Sequence, residues 1–218
     1  MFPLPLHIYF EIAALITCAI CWRRLRRTRL RWFLPFLLFI ACVELTARYF
    51  TYELKQPNAW LYSLSVPGEY CFYSFIFYQF YTGRLAKRLA IAFIILLTLY
   101  AAYSMLFITG LKFFDMNMLV AGSFAMIIFS ILYFIELYDS NDSNPVYNTP
   151  MFWICTGIFL FNAGEFCYNL LSVLVIDQGF DSTLKIFRTI NNSLILILYS
   201  CFIIAFICQK ISGTYKKA

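Results

Sequence analysis

The sequence has few charged residues and a single histidine. Only 13% of its 218 residues are Asp, Glu, Lys or Arg, whereas an ordinary soluble domain has about 25%. The lone His7 excludes haem held by a histidine pair and zinc held by several histidines. We expect no metal and no cofactor, although a mixed site of His7 with Glu11 stays open. No aspartate lies in the middle of an apolar segment, which excludes an aspartyl-protease dyad.

Long polar segments and low-complexity linkers are also missing. The apolar runs are joined by short connections, and the C-terminal stretch KISGTYKKA is too short to form a domain. All eight cysteines lie inside apolar stretches, so we expect no disulfide framework. We therefore treat residues 1–218 as one domain without a catalytic domain of its own.

Apolar residues are abundant in the sequence. Hydrophobic residues make up 62% of it, aromatic residues 21%, and the mean hydropathy is +0.76, which is typical of a multi-pass membrane protein and not of a nucleic-acid-binding domain. About 20 apolar residues are needed to cross a bilayer. Seven such runs predict an all-α protein of seven transmembrane helices, at about residues 4–22, 32–50, 60–82, 89–109, 117–138, 150–174 and 185–209.

Basic residues are distributed unevenly between the connections. Twelve lie in the segments after helices 1, 3 and 7, and three lie in the opposite segments. This predicts an N-terminus outside and a C-terminus in the cytoplasm, in a bacterial inner membrane. Because arginines follow the first run, we interpret it as a retained helix and not a signal peptide. These arginines indicate a stop-transfer signal and contact with anionic lipid headgroups, or docking of a cytoplasmic partner. They are Arg23, Arg24, Arg26, Arg27, Arg29 and Arg31.

Charged and amide residues occur inside several predicted helices, and at about 1.5 Å per residue they fall at one depth in the outer half of the membrane. Helical spacing places His7 with Glu11 on one face, and Glu44 with Arg48 on another. A charged side chain facing lipid is costly, so we expect these groups to converge inside the bundle. The predicted ligand-binding or proton-binding residues are Glu11, Glu44, Arg48, Glu69, Asn162, Glu165, Asn169, Arg188, Asn191 and Asn192.

The charges in this band do not balance. Four glutamates meet two arginines, Arg48 and Arg188, which are also the expected partners of Glu165. Protonated carboxyls, water entering from outside, or a cationic ligand would each supply the missing charge, and the sequence leaves all three open. A purely structural role, in which polar contacts hold the helices together, is also open. Pro67-Gly68 directly before Glu69 favours a functional pocket, because it can break the third helix and free backbone groups.

The second and sixth predicted helices share one spacing. Glu44 follows Trp32 by twelve positions, and Glu165 follows Trp153 by twelve positions. The same offset lays helix 1 over helix 5 and helix 3 over helix 7. This indicates a 3+1+3 arrangement of parallel repeats, which occurs among small-solute transporters.

One enzyme signature is partly matched. Glu44 and Arg48 have the Glu-x-x-x-Arg spacing of membrane-embedded glutamate proteases that process prenylated tails, but the further histidines of those enzymes are absent. We therefore expect that the protein is not an enzyme.

The stretch NPVYNTPMFWICTGIFLFNAGEFCYNLL at 144–171 carries a resemblance to a known group of proteins. It resembles a pattern of small seven-helix membrane proteins and membrane-embedded sensor modules of Bacteroidota, in which a Pro-x-Phe-Trp-Ile-x-x-Gly-x-x-x-Phe sequence opens helix 6. The matching residues are Pro150, Phe152, Trp153, Ile154, Gly157 and Phe161. The resemblance implies a signalling module that works with a kinase on a separate chain, and it assigns no functional residue.

Together these features favour a receptor-like sensor within the lipid bilayer. Its outward-facing polar pocket would bind a small polar or cationic ligand, or a proton, and signal to a sensor kinase or another partner. Two alternatives stay open: a small-solute or proton-coupled transporter on parallel three-helix repeats, and a structural or assembly subunit.

Overall fold

The computed structural model describes residues 5–108, 115–140, 145–177 and 185–215, with side chains described over 5–108, 115–140, 145–170 and 189–209. These residues are almost entirely helical and contain no β-strand, which confirms the predicted all-α class. The long helices among them are α1 (Leu6–Leu25), α2 (Phe33–Tyr52), α3 (Ala59–Phe80), α4 (Arg84–Tyr103), α5 (Met116–Asp139), α6 (Pro150–Asp177) and α7 (Lys185–Tyr215).

Six of the described helices, all except α3, are long and apolar enough to cross a membrane. Large apolar side chains remain uncovered on the outside of the bundle, as Leu96 at 66% and Leu106 at 76% exposed illustrate. Such a surface indicates an integral membrane protein in contact with lipid. α3 has 22 residues, which is the length of a span, but polar residues such as Ser63 and Glu69 lower its hydropathy. The seven-span count therefore stays a prediction.

α3 continues through Pro67 without the expected break. Proline has no N–H to donate to the carbonyl four residues earlier, yet the helix is continuous over Ala59–Phe80. Inside a bilayer an opened backbone would lose several hydrogen bonds, whereas a continuous helix loses one. Gly68 faces open space, since an added Cβ would meet no atom within 4 Å.

α4 begins at Arg84, ahead of the predicted start near residue 89. Glu136 on α5 explains the difference, because its carboxylate accepts hydrogen bonds from the backbone N–H of Thr82 at 2.7 Å and of Gly83 at 3.1 Å. The Thr82 hydroxyl donates a third bond, at 3.0 Å. A carboxylate at a helix N-terminus offsets the unfavourable basic residues of the first turn.

Asp115 ties the other end of α4 to the start of α5. α4 is followed by a π-helical turn, Ser104–Ile108, and Asp115 accepts hydrogen bonds from the Ser104 hydroxyl at 2.5 Å and the Tyr100 hydroxyl at 2.9 Å. Asp115 also caps α5 by accepting from two backbone N–H groups of its first turn. Burial alone would raise the pKa of Asp115, but these hydrogen bonds outweigh it and hold the pKa below its ordinary value.

The helices close into a bundle in which α7 packs between α6 and α1, and α5 packs against α6 and α3. α6 and α7 approach closely at two glycines: a Cβ on Gly157 would lie 2.8 Å from Cys201 Cβ, and one on Gly164 would lie 2.6 Å from a Leu194 methyl. Small residues permit such close packing of membrane helices. α2 and α3 instead leave an apolar groove of about 450 Å³ between them. The two helix pairs thus differ in packing, and the repeat that would relate them stays a prediction.

An aromatic core fills the bundle near the α1–α2 connection. The ring of Phe33, at the start of α2, packs at 5.2 Å from Phe72, 5.3 Å from Phe202 and 5.6 Å from Phe206, measured between centroids. Glu44 lies about 16 Å further along α2, by the rise of an α-helix. The core therefore separates the carboxylates from the arginine-rich connection.

Candidate functional site

A hydrogen-bonded group of three side chains joins α3, α5 and α6. Oε2 of Glu165 accepts from the Ser123 hydroxyl at 3.1 Å and from the Tyr70 hydroxyl at 3.5 Å. The two hydroxyls lie 3.0 Å apart, and Tyr70 also reaches the Leu119 carbonyl at 3.2 Å. Each hydroxyl has one proton to donate, so the two protons are shared among more acceptors than they can satisfy at once. The arrangement can pass a proton between Glu165 and its neighbours by rotating hydroxyl groups.

A second carboxyl, Glu44, lies between α2 and α3. The Tyr62 hydroxyl donates a hydrogen bond of 3.3 Å to Glu44 Oε2, and the positive charge of Arg48 attracts the same carboxylate. The Arg48 guanidinium itself lies 5.0 Å from the centre of the Tyr52 ring. Arg48 therefore shares its charge between a carboxylate and an aromatic face.

α1 contributes a third carboxyl, Glu11, which is buried. Glu11 is 5% exposed, and its Oε2 has no hydrogen-bond partner within the described part of the chain. The negative charge of Glu44 acts on it. His7, one turn earlier, has a buried Nδ1 that also lacks a partner there, and the charge of Arg48 acts on its ring.

Glu69 on α3 connects the other carboxyls. The charges of Glu44, Glu165 and Glu11 all act on it. The other three glutamates therefore lie within electrostatic range of Glu69, and a shared ligand-binding or proton-binding role for the four stays a prediction. We call Glu11, Glu44, Glu69 and Glu165 the carboxylate cluster.

Two buried tyrosines, Tyr73 on α3 and Tyr199 on α7, complete the interior of this region. Both are at most 5% exposed, and the charges of Glu11 and Glu69 act on both. Their rings separate the cluster from the aromatic core, since Tyr73 and Tyr199 each pack against Phe202. The cluster therefore has an apolar floor.

The predicted amides are not shown to join the cluster. Asn162 is fully buried, but its Nδ2 donates at 2.7 Å to the Ile158 carbonyl on its own helix, and its Oδ1 has no hydrogen-bond partner in the described residues. Asn169 is buried on α6, and Asn191 and Asn192 are half-buried on α7.

Arg188 belongs to α7, but its side chain lies outside the described residues. The expected ion pair of Arg188 with Glu165 therefore lies outside them too. Glu165 bonds instead to Ser123 and Tyr70 among the side chains that are described. Among the residues that the structure describes, no group of three or more His, Cys, Asp or Glu side chains has the geometry of a metal site.

Charge is unbalanced where the cluster forms. Glu11, Glu44 and Glu165 act on Glu69, and one described arginine, Arg48, acts on Glu44. If all four carboxyls ionised, about three negative charges would lack a counter-charge among the described residues, which is costly in a low-dielectric interior. Protons or a bound cation can satisfy them.

Sequence reasoning missed the hydroxyl groups and one glycine. Tyr62, Tyr70, Ser123 and Tyr199 surround the carboxyls, yet tyrosine occurs 16 times in the chain and a serine in an apolar helix is ordinary. Gly122 beside Ser123 was a better sequence signal, because a glycine within a membrane helix favours the close approach of another helix. In the structure an added Cβ at Gly122 would lie 2.2 Å from the Tyr70 ring. Gly122 thus lets Tyr70 approach α5 closely enough to reach Ser123.

The six arginines of the α1–α2 connection are all exposed. Four of them, Arg26, Arg27, Arg29 and Arg31, line a cavity of about 690 Å³, whereas Arg23 and Arg24 do not. The aromatic core lies between this cavity and the carboxylate cluster.

Comparison of the chain with protein-family models, with curated proteins and with solved structures finds no match.

Proposed function

We propose that this protein is a receptor-like sensor of seven transmembrane helices, in which the carboxylate cluster binds a proton or a small cationic ligand. The observation that carries the proposal is the meeting of four glutamates from α1, α2, α3 and α6 in one network with a single described arginine. A cation or a proton is the species that such a network attracts.

The orientation follows from the distribution of basic residues. The cluster is nearer the end of the bundle where α1 begins and α2 ends, and the arginine-rich connection is at the other end. With the basic end in the cytoplasm of a bacterium, the cluster opens outward. The ligand would then come from outside the cell.

Unsatisfied buried atoms support a binding role over a purely structural one. Helices held together by polar contacts gain stability only when those contacts are made. Within the described residues, however, Glu11 Oε2 and Asn162 Oδ1 are buried without hydrogen-bond partners. Such atoms cost stability, and a proton or a cation that engages these oxygens would recover it.

A change of charge at Glu165 gives the signal a physical route. Glu165 touches α3 through Tyr70 and α5 through Ser123, so protonation or a bound cation changes what holds α6 against both helices. α7 packs tightly on α6 through Gly157 and Gly164 and would move with it. The ends of these helices would pass the change to a separate partner such as a sensor kinase.

Proton release on cation binding tests this proposal. Protein in neutral detergent and weak buffer is mixed with sodium or choline chloride, and the pH change is recorded. A ligand that competes for shared carboxyls releases protons from the wild type, and Glu165→Gln should abolish the release while expression is kept. Glu53→Gln is the matched control, because Glu53 is exposed at the end of α2. Equal proton release in the wild type and in Glu165→Gln would overturn the proposal. Absence both of proton release with either cation and of proton uptake on acidification would favour a structural subunit.

A small-solute transporter is the second candidate. It is favoured because Glu69 lies within range of both Glu44 and Glu165, the two positions that the proposed repeat would relate. Proteoliposomes discriminate between the two: a transporter moves a labelled solute or protons across the membrane and loses that flux in Glu44→Gln and Glu165→Gln. A sensor binds the cation without flux.

A further inference from the structure

The cavity at the α1–α2 connection combines several groups that bind anions. Arg26, Arg27, Arg29 and Arg31 line it from the connection, and Gln79 lines it from the end of α3. No acidic side chain is among the described residues that line it. Four guanidinium groups around one space repel each other unless an anion lies between them.

One of these arginines is already fixed in place. Arg29 Nη1 donates a hydrogen bond to the Gln79 carbonyl, at the C-terminus of α3, and its guanidinium lies 5.7 Å from the centre of the Phe80 ring. A cation at a helix C-terminus is stabilised by the helix dipole. Arg29 is therefore held at the wall of the cavity by two contacts, and its guanidinium has further N–H groups to donate.

The side-chain amide of Gln79 is a second hydrogen-bond donor without an acceptor among the described residues. Its Nε2 is buried and has no hydrogen-bond partner within the part of the chain that the structure describes. A buried amide N–H without an acceptor costs free energy. An anion in the cavity would supply the acceptor.

The N-terminus of α6 provides a third contribution. Thr149, Pro150 and Met151 line the same cavity, and α6 runs over 28 residues from Pro150. The first-turn N–H groups of a long helix carry partial positive charge and lack partners within the helix. Residues of the arginine-rich connection and of the α6 N-terminus thus line one volume.

We propose that this cavity binds a phosphate-bearing anion. Guanidinium groups match the oxygens of phosphate in bidentate pairs, and several of them with a helix terminus suit an anion of more than one charge. The volume of about 690 Å³ accommodates a phosphate ester and lies within the usual size of a ligand pocket. The phosphate can belong to a soluble molecule or to the headgroup of an anionic lipid.

Two arms of one experiment distinguish these sources. In the first, delipidated protein in neutral detergent is titrated with inorganic phosphate at constant ionic strength, with chloride as the reference anion, and binding is followed by calorimetry. In the second, the protein is taken from mixed micelles with phosphatidylglycerol or phosphatidylcholine, and retained lipid is counted by native mass spectrometry. Saturable phosphate binding supports a soluble ligand, and selective retention of phosphatidylglycerol supports a lipid headgroup.

The variant pair tests the cavity itself. Arg26→Gln with Arg27→Gln should weaken phosphate binding or lipid retention about tenfold or more, since two charge-assisted contacts are lost. Arg84→Gln with Arg88→Gln removes the same charge from exposed positions that do not line the cavity, and should change phosphate binding or lipid retention by less than about twofold.

A further variant covers the possibility that the arginine pair fails to fold. Gln79→Glu places a carboxylate beside Arg29 without removing the Gln79 carbonyl contact, so the protein should keep its thermal stability and lose binding. The proposal is overturned if neither phosphate nor phosphatidylglycerol binds, if the control pair loses binding as much as the cavity pair, or if Gln79→Glu binds phosphate as the wild type does.

Discussion

The Ser123 hydroxyl on α5 lies 3.1 Å from Oε2 of Glu165 on α6 and donates a hydrogen bond to it. Ser123 is fully buried, and the Tyr70 hydroxyl from α3 is 3.0 Å from its oxygen. Three helices therefore meet at one carboxyl. The proposed response of the protein to a ligand depends on this meeting point, because a change in the charge of Glu165 alters contacts with two neighbouring helices at once.

Removing the Ser123 hydroxyl should destabilise the protein. Ser123→Ala leaves Glu165 with a weaker set of donors, and we expect a loss of about 1–3 kcal/mol in the free energy of unfolding. Unfolding in mixed micelles of neutral detergent and SDS measures it. Ser130→Ala is the control, because the Ser130 hydroxyl is equally buried but donates only to the Met126 carbonyl of its own helix. A loss for Ser130→Ala as large as that for Ser123→Ala would contradict a specific role for the Glu165 contact.

Two glycines give a matched test of the packing around Tyr70. Gly122→Ala would place a methyl group 2.2 Å from the Tyr70 ring, so either the ring or α5 must move, at a cost of about 1–3 kcal/mol. Gly68→Ala meets open space and should be neutral or stabilise α3 by up to about 1 kcal/mol. The same unfolding assay compares the two. Equal effects of the two substitutions would show that Tyr70 does not pack as described.

The contact of Glu136 with the start of α4 should contribute to stability. Glu136→Gln keeps the shape of the side chain and removes the negative charge that faces the N–H groups of Thr82 and Gly83. We expect a loss of about 1 kcal/mol. Glu53→Gln, at an exposed position near the end of α2, should change the free energy of unfolding by less than about 0.5 kcal/mol.

Asp115 predicts a particular dependence of stability on pH. Its pKa in the folded protein is lowered by hydrogen bonds that outweigh the effect of burial. A carboxyl of this kind stabilises the folded state above its unfolded pKa of about 4, and the contribution is lost as the pH falls through the lower folded pKa. Melting temperatures of the wild type should therefore fall more steeply on acidification than those of Asp115→Asn. Parallel curves for the two proteins would mean that Asp115 contributes no such dependence.

The helices could be predicted from the sequence because runs of bilayer length are a one-dimensional signal. Their ends could not, where distant side chains decide them: α4 begins at Arg84 because Glu136 on another helix binds the N–H groups of Thr82 and Gly83 directly before it. Pro67 likewise suggested a break that the intact α3 does not show. Local preference was overridden there by the need of a membrane helix to keep its backbone bonded.

The carboxylate cluster was predictable in its members and not in its partners. Depth along each helix brought the four glutamates to one level, and three of them lie within electrostatic range of the fourth, Glu69. Which hydroxyl meets which carboxyl depends on helix rotation and on close approaches such as Gly122 against Tyr70. Spacing along one chain does not contain that information.

Infrared difference spectra between acidic and alkaline pH test the central claim most directly. Carboxyl groups that bind protons inside the bundle give a C=O stretching band that appears on acidification, at the position of a protonated carboxylic acid. We predict this band in the wild type, a clear loss of intensity in Glu165→Gln, and no loss in Glu53→Gln. A wild-type band that Glu165→Gln leaves unchanged would contradict a proton-binding or cation-binding role for the cluster.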